Sequence, residues 1–242
     1  MTTPATRLLI HGASGRMGHT LLRLCRDEPA PGCTVVAAVS RRVAQRVVDG
    51  VPQFSAHEIA GVPPFDVAID FSLPAGLETV ATLCAARSAG LVSGTTGLDD
   101  AQRQSLEAAS RRVPVIWAAN FSIGAAVLAD LVARAAPALH GWDCDIVEQH
   151  HVHKRDAPSG TALSLGKAAE SGGAIPRHAS LRAGDIVGEH TVQFATAGER
   201  IELIHRATSR DVFARGAIAA ASRLHGRAPG HYALRDLLFD PA

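Results

Sequence analysis

A glycine-rich sequence, His11-Gly12-Ala13-Ser14-Gly15-Arg16-Met17-Gly18, lies between the apolar run Leu8-Leu9-Ile10 and a helical pattern that extends to Arg26. Its spacing, G-x-x-G-x-x-G, is a variant of the dinucleotide-binding fingerprint, which must follow a strand and open a helix. The glycines permit a tight turn, and the helix start offers free N–H groups and a positive dipole end to a pyrophosphate. A glycine-rich turn with only a structural role is the alternative, but the strand–turn–helix setting favours a dinucleotide site at residues 12–18.

Short apolar runs alternate with helical patterns through the first half of the chain. After the first strand, the pattern predicts strands at residues 34–39, 67–69, 91–93 and 113–117, the last of which closes the series. Ser72-Leu73-Pro74 is typical of a helix start with a serine cap, and Asp99 with Gln102 forms a capping box for a helix that ends near Arg111. Such alternation is typical of a parallel sheet covered by helices. We therefore expect an α/β fold with a Rossmann-type parallel sheet.

The pattern changes near residues 120–124. A helix is predicted at residues 125–139, a strand at 145–148 and a second helix that opens at Ser159. Two strands, 191–196 and 200–206, are joined through Ala197-Gly198-Glu199 as a hairpin, whereas residues 170–182 form the most loop-like stretch of the chain. Ser209 can cap a helix that runs to about Leu224. Consecutive strands without an intervening helix indicate a separate and smaller α+β domain.

Composition and charge exclude several classes of protein. Of the 242 residues, 47% are hydrophobic and 19% are charged, which is typical of a globular chain with a buried core. The formal net charge of +1 gives no overall basic surface for nucleic acid. No apolar run reaches membrane-spanning length, and residues 1–7 are too polar and short for a signal peptide, so we expect a cytoplasmic protein. The four cysteines form no C-x-x-C pair and are expected to be reduced packing residues.

The segment Ser40-Arg41-Arg42 follows the second predicted strand. In NAD-binding domains, an acidic residue at this point accepts hydrogen bonds from the ribose hydroxyls. A serine hydroxyl and guanidinium groups can instead hold a 2′-phosphate. We therefore predict that Ser40 and Arg41 contact the cofactor and that NADPH is preferred, although NADH can also serve. Ordinary solvated arginines are the alternative.

Three histidines and a lysine precede a helix start in Glu148-Gln149-His150-His151-Val152-His153-Lys154-Arg155-Asp156-Ala157-Pro158-Ser159-Gly160-Thr161-Ala162. Ser159 is a good N-cap, and the small residues after it leave the helix start open to an anion such as a substrate carboxylate. Proton donors beside a bound anion suit a reductase, because hydride addition to a C=N or C=O carbon needs an acid for the charge that develops on the heteroatom. A structural histidine cluster is one alternative. A metal site is another, but adjacent histidines on an extended segment point to opposite faces, so no metal is expected.

The same segment resembles the E-x-H-H-x-x-K-x-D-A-P-S-G-T-A signature of the 4-hydroxy-tetrahydrodipicolinate (dihydrodipicolinate) reductase family. Further blocks of that family are matched in the same order over nearly the whole chain. They are Gly12 to Gly18, Asp70-Phe71-Ser72, Gly94-Thr95-Thr96-Gly97, Ala119-Asn120-Phe121-Ser122, residues 182–190 and Ser209-Arg210. The resemblance implies an NAD(P)H-dependent reduction of a cyclic dicarboxylate, which gives tetrahydrodipicolinate with loss of water in diaminopimelate and lysine biosynthesis.

The resemblance also implies roles for individual residues. By position, His150 corresponds to the catalytic acid/base and Lys154 to its partner proton donor. The expected substrate contacts are His151, Ser159, Gly160 and Thr161, with the last two acting through their backbone amides. The expected cofactor contacts at the strand ends are Gly94, Thr95, Thr96, Ala118, Ala119, Asn120 and Phe121.

The same resemblance implies the domains and the assembly. We expect a dinucleotide-binding domain at residues 1–122, with residues 211–242 packing back on it, and a substrate-binding and oligomerisation domain at residues 123–210. A homotetramer assembled through the sheet of the second domain is implied. Two departures from the family pattern stand out. Ser40 replaces an acidic residue that many members carry, and the stretch 163–181 is shorter than in many bacterial members.

Two other functions compete with this hypothesis. A Rossmann dehydrogenase could act on a different anionic substrate, such as an amino-acid semialdehyde or a 2-oxo acid, although the histidine–lysine block favours a dicarboxylate ring. A non-catalytic, redox-sensing dinucleotide binder would leave His150 and Lys154 without a role. No nucleic-acid, membrane or protein partner other than further copies of this chain is expected.

Overall fold

A computed structural model describes residues 5–30 and 32–239 of the chain. The chain divides into two compact units. The first unit is Met1–Phe121 together with Phe213–Ala242, and the second is Ser122–Val212. Within the described residues, no helix is both long enough and apolar enough to cross a membrane.

The first unit is built on an eight-stranded sheet covered by helices. Its strands, numbered along the chain, are β1 (Thr6–His11), β2 (Cys33–Ser40), β3 (Val47–Val48), β4 (Val51–Ser55), β5 (Val67–Asp70), β6 (Gly90–Ser93), β7 (Pro114–Trp117) and β12 (Gly230–Tyr232). Its helices are α1 (Arg16–Asp27), α2 (Pro74–Arg87), α3 (Asp100–Ser110), α6 (Asp211–Leu224) and α7 (Leu234–Phe239), with a 3₁₀ helix at Ala56–Gly61. The strand order is β12-β7-β6-β5-β1-β2-β4-β3, and all neighbours except β3 and β4 are parallel. The predicted Rossmann-type sheet is confirmed.

The carboxyl ends of the central strands lie side by side. The centre of β1 is a continuous apolar run, Leu8-Leu9-Ile10, because these residues are fully buried and the sheet is covered on both faces. In register, His11 at the end of β1 lies beside Asp70 of β5, and Asp70 lies beside Ser93 of β6. Polar residues therefore gather at the sheet edge where open α/β folds bind their ligands.

The second unit packs two helices on a four-stranded sheet. Its strands are β8 (Asp143–His150), β9 (Pro176–Arg182), β10 (Gly188–Thr196) and β11 (Glu199–Ala207), and its helices are α4 (Ile123–Ala138) and α5 (Gly160–Glu170). The strand order is β11-β10-β8-β9, with β9 parallel to β8 and the other pairs antiparallel. The predicted hairpin is confirmed as β10 and β11, and Ser159 is the N-cap of α5 as predicted.

The buried face of this sheet changes from apolar to polar along the strands. The buried positions are Cys144, Ile146, Glu148 and His150 on β8, and His190, Val192 and Phe194 on β10. The apolar members pack with α4 and α5 into one core. The remaining three, Glu148, His150 and His190, lie at the carboxyl end of β8, where the H-H-x-x-K loop begins.

Within residues 170–182, predicted as a loop, only residues 171–175 lack regular structure, so the prediction is wrong for the rest of the stretch. α5 extends to Glu170, and β9 pairs in parallel with β8 from Pro176 to Arg182. Arg177 donates two hydrogen bonds to Asp145, its neighbour in register, at 2.7 and 3.1 Å. Five of the seven residues of this edge strand are exposed, so it has no alternating apolar pattern by which a sequence would reveal it.

Three smaller expectations about the first unit are also corrected. β7 does not close the sheet, because β12 pairs with it in parallel. Residues 47–61 form β3, β4 and the 3₁₀ helix, none of which was predicted. Ser72 does not cap α2, since Leu73 occupies the N-cap position without a side-chain bond and Pro74 opens the helix. The capping box is confirmed, with Asp99 accepting from the Gln102 amide at 2.8 Å and Gln102 accepting from the Asp99 amide at 3.0 Å.

Candidate active site

The glycine turn of the first unit requires its glycines. Gly12 has a φ of +81°, and a Cβ placed there would lie 2.6 Å from the Phe71 carbonyl oxygen. A Cβ at Gly18 would lie 2.4 Å from the Gly12 carbonyl oxygen. Contacts this short do not occur, so α1 can pack on the turn only when both positions lack a side chain. Ala13 and Gly18 are buried within this packing, and Met17 is half-buried.

The start of α1 is open to a ligand. Gly15 is the N-cap of α1 and has no side chain that could bond to the free N–H groups of the first turn. Ser14, Gly15 and Arg16 are exposed. A cleft of about 480 Å³ is lined by Gly12, Ser14 and Gly15 on one side and by residues of α2 on the other. A pyrophosphate fits this cradle, because unpaired N–H groups and the positive end of a helix dipole face the cleft.

A second cavity adjoins the turn. Ser14, Arg41 and Arg42 line a space of about 570 Å³, and Ser40 and Arg41 also line the main cleft. Neither Arg41 nor Arg42 forms a salt bridge with another described residue. Two guanidinium groups and a serine hydroxyl therefore surround a space large enough for a phosphate group.

A buried carboxylate connects the strand ends behind the turn. Asp70 accepts hydrogen bonds from His11 Nδ1 at 2.7 Å, and from Ser93 Oγ and Thr95 Oγ1 at 2.8 Å each. Burial raises the pKa of Asp70, but the hydrogen bonds from His11, Ser72 and Thr95 outweigh burial and lower it overall. The carboxylate is thus an ionised acceptor that joins β1, β5 and β6. Sequence reasoning missed this role of Asp70, because its partners on β1 and at the end of β6 are 23 to 59 residues away along the chain.

The two predicted cofactor loops at the strand ends differ in accessibility. Thr95 is buried, with its hydroxyl bound to Asp70 and its carbonyl accepting a hydrogen bond from Trp117 Nε1 at 2.8 Å, so its side chain orders the loop. Gly94 packs against the Phe71 ring: a Cβ at position 94 would lie 2.2 Å from a carbon atom of that ring. Phe121 is also buried and makes an edge contact with Phe71. The half-buried or exposed members are Gly94, Thr96, Ala118, Ala119 and Asn120.

In the second unit, Glu148 and His150 share the buried face of β8. They are two residues apart, which places both side chains on one side of the strand. His150 Nδ1 is hydrogen-bonded to Glu148 Oε2, and Arg182 donates two hydrogen bonds to the same carboxylate, at 2.7 and 3.0 Å. Burial raises the pKa of Glu148, but hydrogen bonds from Arg182, Ser180 and His150 outweigh it and lower the pKa to about 2. The result is a permanently ionised carboxylate behind the histidine.

The protonation of His150 is set by opposing effects. Burial lowers the pKa of His150, the Glu148 carboxylate raises it, and the positive charges of Lys154 and Arg182 lower it. The net direction is downward. The imidazolium of His150 is therefore a stronger acid than that of an unperturbed histidine.

Arg182 also holds the loop that carries Lys154. Its guanidinium donates to the backbone carbonyl of Lys154 at 3.3 Å and to that of Asp156. Lys154 Nζ forms a salt bridge of 2.8 Å with Asp156, and the lysine side chain is 23% exposed. The ammonium is therefore near the surface and held by an exposed carboxylate, which an anionic ligand could replace.

The start of α5 forms the second open helix end. Ser159 is 1% exposed, and its hydroxyl accepts from the Ala162 amide at 3.2 Å and is bonded to His190 Nε2 at 3.2 Å. Gly160 is exposed and Thr161 is half-buried, and the first turn contains no acidic side chain. An anion such as a carboxylate is the ligand that this helix end favours. His151, half-buried, directly follows His150 at the end of β8.

Two further histidines, His190 and His205, extend the cluster and were missed by sequence reasoning. His190 lies opposite His205 in the β10–β11 register, and its ring meets that of His150 edge-on at 5.2 Å. Burial, and after it the neighbouring His150 and His205, lower the pKa of His190 to about 4, so His190 is neutral at pH 7. The available signal was the alternation of His190 with Val192 and Phe194, which indicates a buried strand face.

These features define a class of protein. The first unit has a Rossmann-type sheet with an open glycine turn. The second unit carries a histidine held by a carboxylate, a lysine and an open helix start. Together these are the parts of a pyridine-nucleotide-dependent reductase. The sequence profiles of two family domains match the chain. "Dihydrodipicolinate reductase, N-terminus" matches residues 6–121, and "Dihydrodipicolinate reductase, C-terminus" matches residues 124–238. The chain belongs to the dihydrodipicolinate reductase family.

Curated relatives carry the corresponding name. The 4-hydroxy-tetrahydrodipicolinate reductase of Stenotrophomonas maltophilia is 65% identical over 98% of this chain and 100% of its own length. The enzyme of that name from Xanthomonas campestris is 63% identical over 98% of this chain and 100% of its own length. The one from Xylella fastidiosa is 60% identical over 96% of this chain and 98% of its own length. The predicted family and the predicted NAD(P)H-dependent reductase class are confirmed.

Solved structures agree in fold. A dipicolinate-bound dihydrodipicolinate reductase from Paenisporosarcina has a TM-score of 0.78 and 22% identity, over 95% of this chain and 97% of its own. A diaminopimelate dehydrogenase from C. glutamicum has a TM-score of 0.62 and 16% identity, over 100% and 97%. At these identities the likeness extends to the fold only.

Proposed function

We propose that this chain reduces 4-hydroxy-tetrahydrodipicolinate to tetrahydrodipicolinate, with NADPH as the preferred electron donor. In this reaction one hydride and one proton enter the ring and one water molecule leaves. The reduced nicotinamide supplies the hydride when bound. The first unit is proposed to hold the cofactor at residues 12–18, and the second unit to hold the substrate and the groups that handle protons.

The observation that carries this proposal is the arrangement around His150. A buried histidine backed by the ionised Glu148 can donate a proton and take one back without leaving its position. Lys154 supplies a second proton donor and a positive charge, and the open start of α5 at Gly160 and Thr161 suits a carboxylate. An anionic ring substrate that must gain a proton while it is reduced matches this set of groups.

A coupled assay tests the activity. The enzyme that precedes this step would generate the unstable substrate, and oxidation of NADPH would be followed by its absorbance. We expect oxidation that depends on both enzymes. Absence of oxidation, with cofactor binding intact, would contradict the proposed substrate.

Two variants test the proton donors. We expect His150→Gln and Lys154→Ala each to lower kcat by about 10²-fold or more, because positioned general acids contribute about 10²–10⁴ to a rate. His153→Gln and Arg155→Ala are matched controls, because both residues are exposed neighbours in the same loop. Unchanged kcat in His150→Gln or Lys154→Ala would remove the role assigned to that residue.

The NADPH preference is supported by the cavity at Ser14, Arg41 and Arg42. The ratio of kcat/KM for NADPH to that for NADH measures it. We expect Arg41→Ala to lower this ratio by about tenfold, the effect of losing a hydrogen bond to a charged group. Arg111→Ala removes one exposed arginine from the end of α3 and should leave the ratio unchanged. A native enzyme that prefers NADH would contradict the proposal.

We also propose a homotetramer assembled through the outer face of the second unit's sheet. One row of that face is formed by Ala179, Val147, Thr191 and Ile204, which are adjacent in register across all four strands. Ile204 is 43% exposed, and Leu181 on the same face is 51% exposed. Partner sheets commonly cover such apolar rows. Light scattering would show a tetramer for the native chain and a smaller species for Ile204→Glu; a native monomer would contradict the proposal.

A further inference from the structure

We infer that Glu148, held by Arg182, is a positioning residue that keeps the hydrogen of His150 on Nδ1 and so makes Nε2 the atom that exchanges the catalytic proton. This inference rests on the proposed function, in which His150 is the proton donor. It assigns a role to the first residue of the E-x-H-H-x-x-K segment and to the last residue of β9.

The first step is the hydrogen-bonding chemistry of the carboxylate. An ionised carboxylate can only accept hydrogen bonds, so the ring nitrogen that faces it must carry a hydrogen. Glu148 is 0% exposed and receives two hydrogen bonds from Arg182, which keep it ionised although it is buried. Nδ1 of His150 faces Glu148 and is therefore the permanently protonated nitrogen.

The second step concerns the other ring nitrogen. A Cβ at position 188 would lie 3.0 Å from His150 Nε2, and the residue there is Gly188. Gly188 is not among the glycines with a positive φ, so its backbone conformation does not require glycine. What requires it is the space that a side chain would occupy. A larger residue would press on Nε2. The geometry therefore holds one nitrogen of the ring against Glu148 and leaves room beside the other.

The third step is the balance of charge around the ring. The charged and titratable groups around His150 are Glu148 on β8, Arg182 on β9, His190 on β10, and Lys154 with its partner Asp156 in the following loop. Two of them are cations, His190 is neutral, and burial also opposes a charged imidazole. Two carboxylates favour the imidazolium, but Asp156 is paired with Lys154, whereas Glu148 is hydrogen-bonded to the ring itself. Without its charge, His150 would lose its proton at lower pH and would no longer serve as an acid.

During turnover the proton leaves from Nε2 of the imidazolium to the substrate, and the ring returns to its neutral form with the hydrogen still on Nδ1. The bond between Nδ1 and Glu148 is kept throughout. His150 therefore need not rotate or exchange partners between one proton transfer and the next.

The wild-type protein itself provides the first test. Nitrogen-15 NMR of histidine-labelled protein distinguishes the two neutral tautomers, and the His150→Gln variant assigns the signal. We expect neutral His150 to carry its hydrogen on Nδ1. Finding it on Nε2 would overturn the inference, even if His150→Gln is inactive as the proposed function requires. Full activity of His150→Gln would instead overturn the proposed function, whatever the tautomer.

The second test is a pair of substitutions on the same strand. Glu148→Gln keeps the shape of the side chain and removes its charge. We expect kcat to fall by about 10- to 100-fold with little change in KM, and the alkaline limb of the kcat profile to move to lower pH. Asp145→Asn is the matched control, because it removes the carboxylate of another β8–β9 arginine pair, three residues away, whose side chain is 32% exposed. We expect its pH profile to match the native one.

An unshifted alkaline limb in Glu148→Gln, with kcat reduced, would mean a merely structural role and would overturn the inference. If Glu148→Gln does not fold, Arg182→Lys replaces it. Lysine keeps the positive charge but not the two-point bond to Glu148, so the same loss of kcat and the same shift are expected. Equal pH profiles for Arg182→Lys and the native enzyme would count against the inference.

Discussion

Two helix caps in the second unit are built alike, and their comparison gives a sharp test of the site. Ser122 caps α4 by accepting from the Ala125 amide at 3.2 Å, and its hydroxyl is bonded to His205 Nε2 at 3.1 Å. Ser159 caps α5 with the same distance to the Ala162 amide, and its hydroxyl is bonded to His190. Both serines are 1% exposed. Substitution of either serine by alanine removes one cap and one histidine partner.

The structure predicts different losses of unfolding free energy for the two variants. Loss of an N-cap costs about 1 kcal/mol at either position. His190 is 3% exposed, so Ser159→Ala leaves its Nε2 without a partner or water, at a further cost of about 1–3 kcal/mol. His205 is only half-buried, so water can replace the lost bond in Ser122→Ala. We expect Ser159→Ala to lose about 2–4 kcal/mol and Ser122→Ala about 1 kcal/mol.

Urea unfolding of both variants, with CD of the whole protein as the signal, measures these losses. The same variants can be assayed for substrate KM, which we expect to rise in Ser159→Ala alone, since only α5 is proposed to bind the substrate. Equal losses of unfolding free energy in the two variants would show that leaving the buried His190 without its partner adds no cost. A larger loss in Ser122→Ala would refute the reasoning.

Further predictions concern the glycine turn and the response to acid. Gly18→Ala places a methyl group 2.4 Å from the Gly12 carbonyl oxygen, and such overpacking costs about 1–3 kcal/mol. We therefore expect the Kd for NADPH, measured by fluorescence titration, to rise about tenfold. Gly61→Ala, with no atom within 4 Å of the new carbon, should bind normally, and equal Kd values would contradict the packing argument. The pKa of His190 is about 4 in the folded chain and about 6.5 in the unfolded chain, so the unfolded state binds more protons between these values. The free energy of unfolding therefore falls as the pH drops from 6.5 to 4, by about 3 kcal/mol for this residue. His190→Gln should lose less stability than the native chain between pH 7 and pH 5 in urea unfolding, and an equal loss would rule out His190 as the cause.

Elements with both faces buried could be predicted from sequence, because burial imposes a pattern. The centre of β1 is an unbroken apolar run of three residues, and the turn after it carries glycines that no other residue can replace at positions 12 and 18. β9 could not be predicted, because an exposed edge strand can carry almost any polar residue. The strand β12 contributes only three residues to the sheet, too few to show a period.

The candidate site divides in the same way. His150, Lys154 and Ser159 lie in one continuous segment, so their chemistry could be inferred from local sequence alone. The partnership of Glu148 with Arg182 spans 34 residues, and that of His11 with Asp70 spans 59. Such pairs arise from strand register, which a single sequence does not reveal. The sequence therefore suggested which groups to propose for the reaction, and the structure shows which groups hold them.

The position of Arg182 limits where this chain can gain or lose residues. Its guanidinium faces Glu148 because it is aligned with His150 at the last register position of β9. Inserting one residue within that strand would turn the arginine to the opposite side of the sheet and detach the loop that carries Lys154. An added residue in the turn before Pro176 leaves the alignment intact, so length variation in relatives of this enzyme should concentrate there.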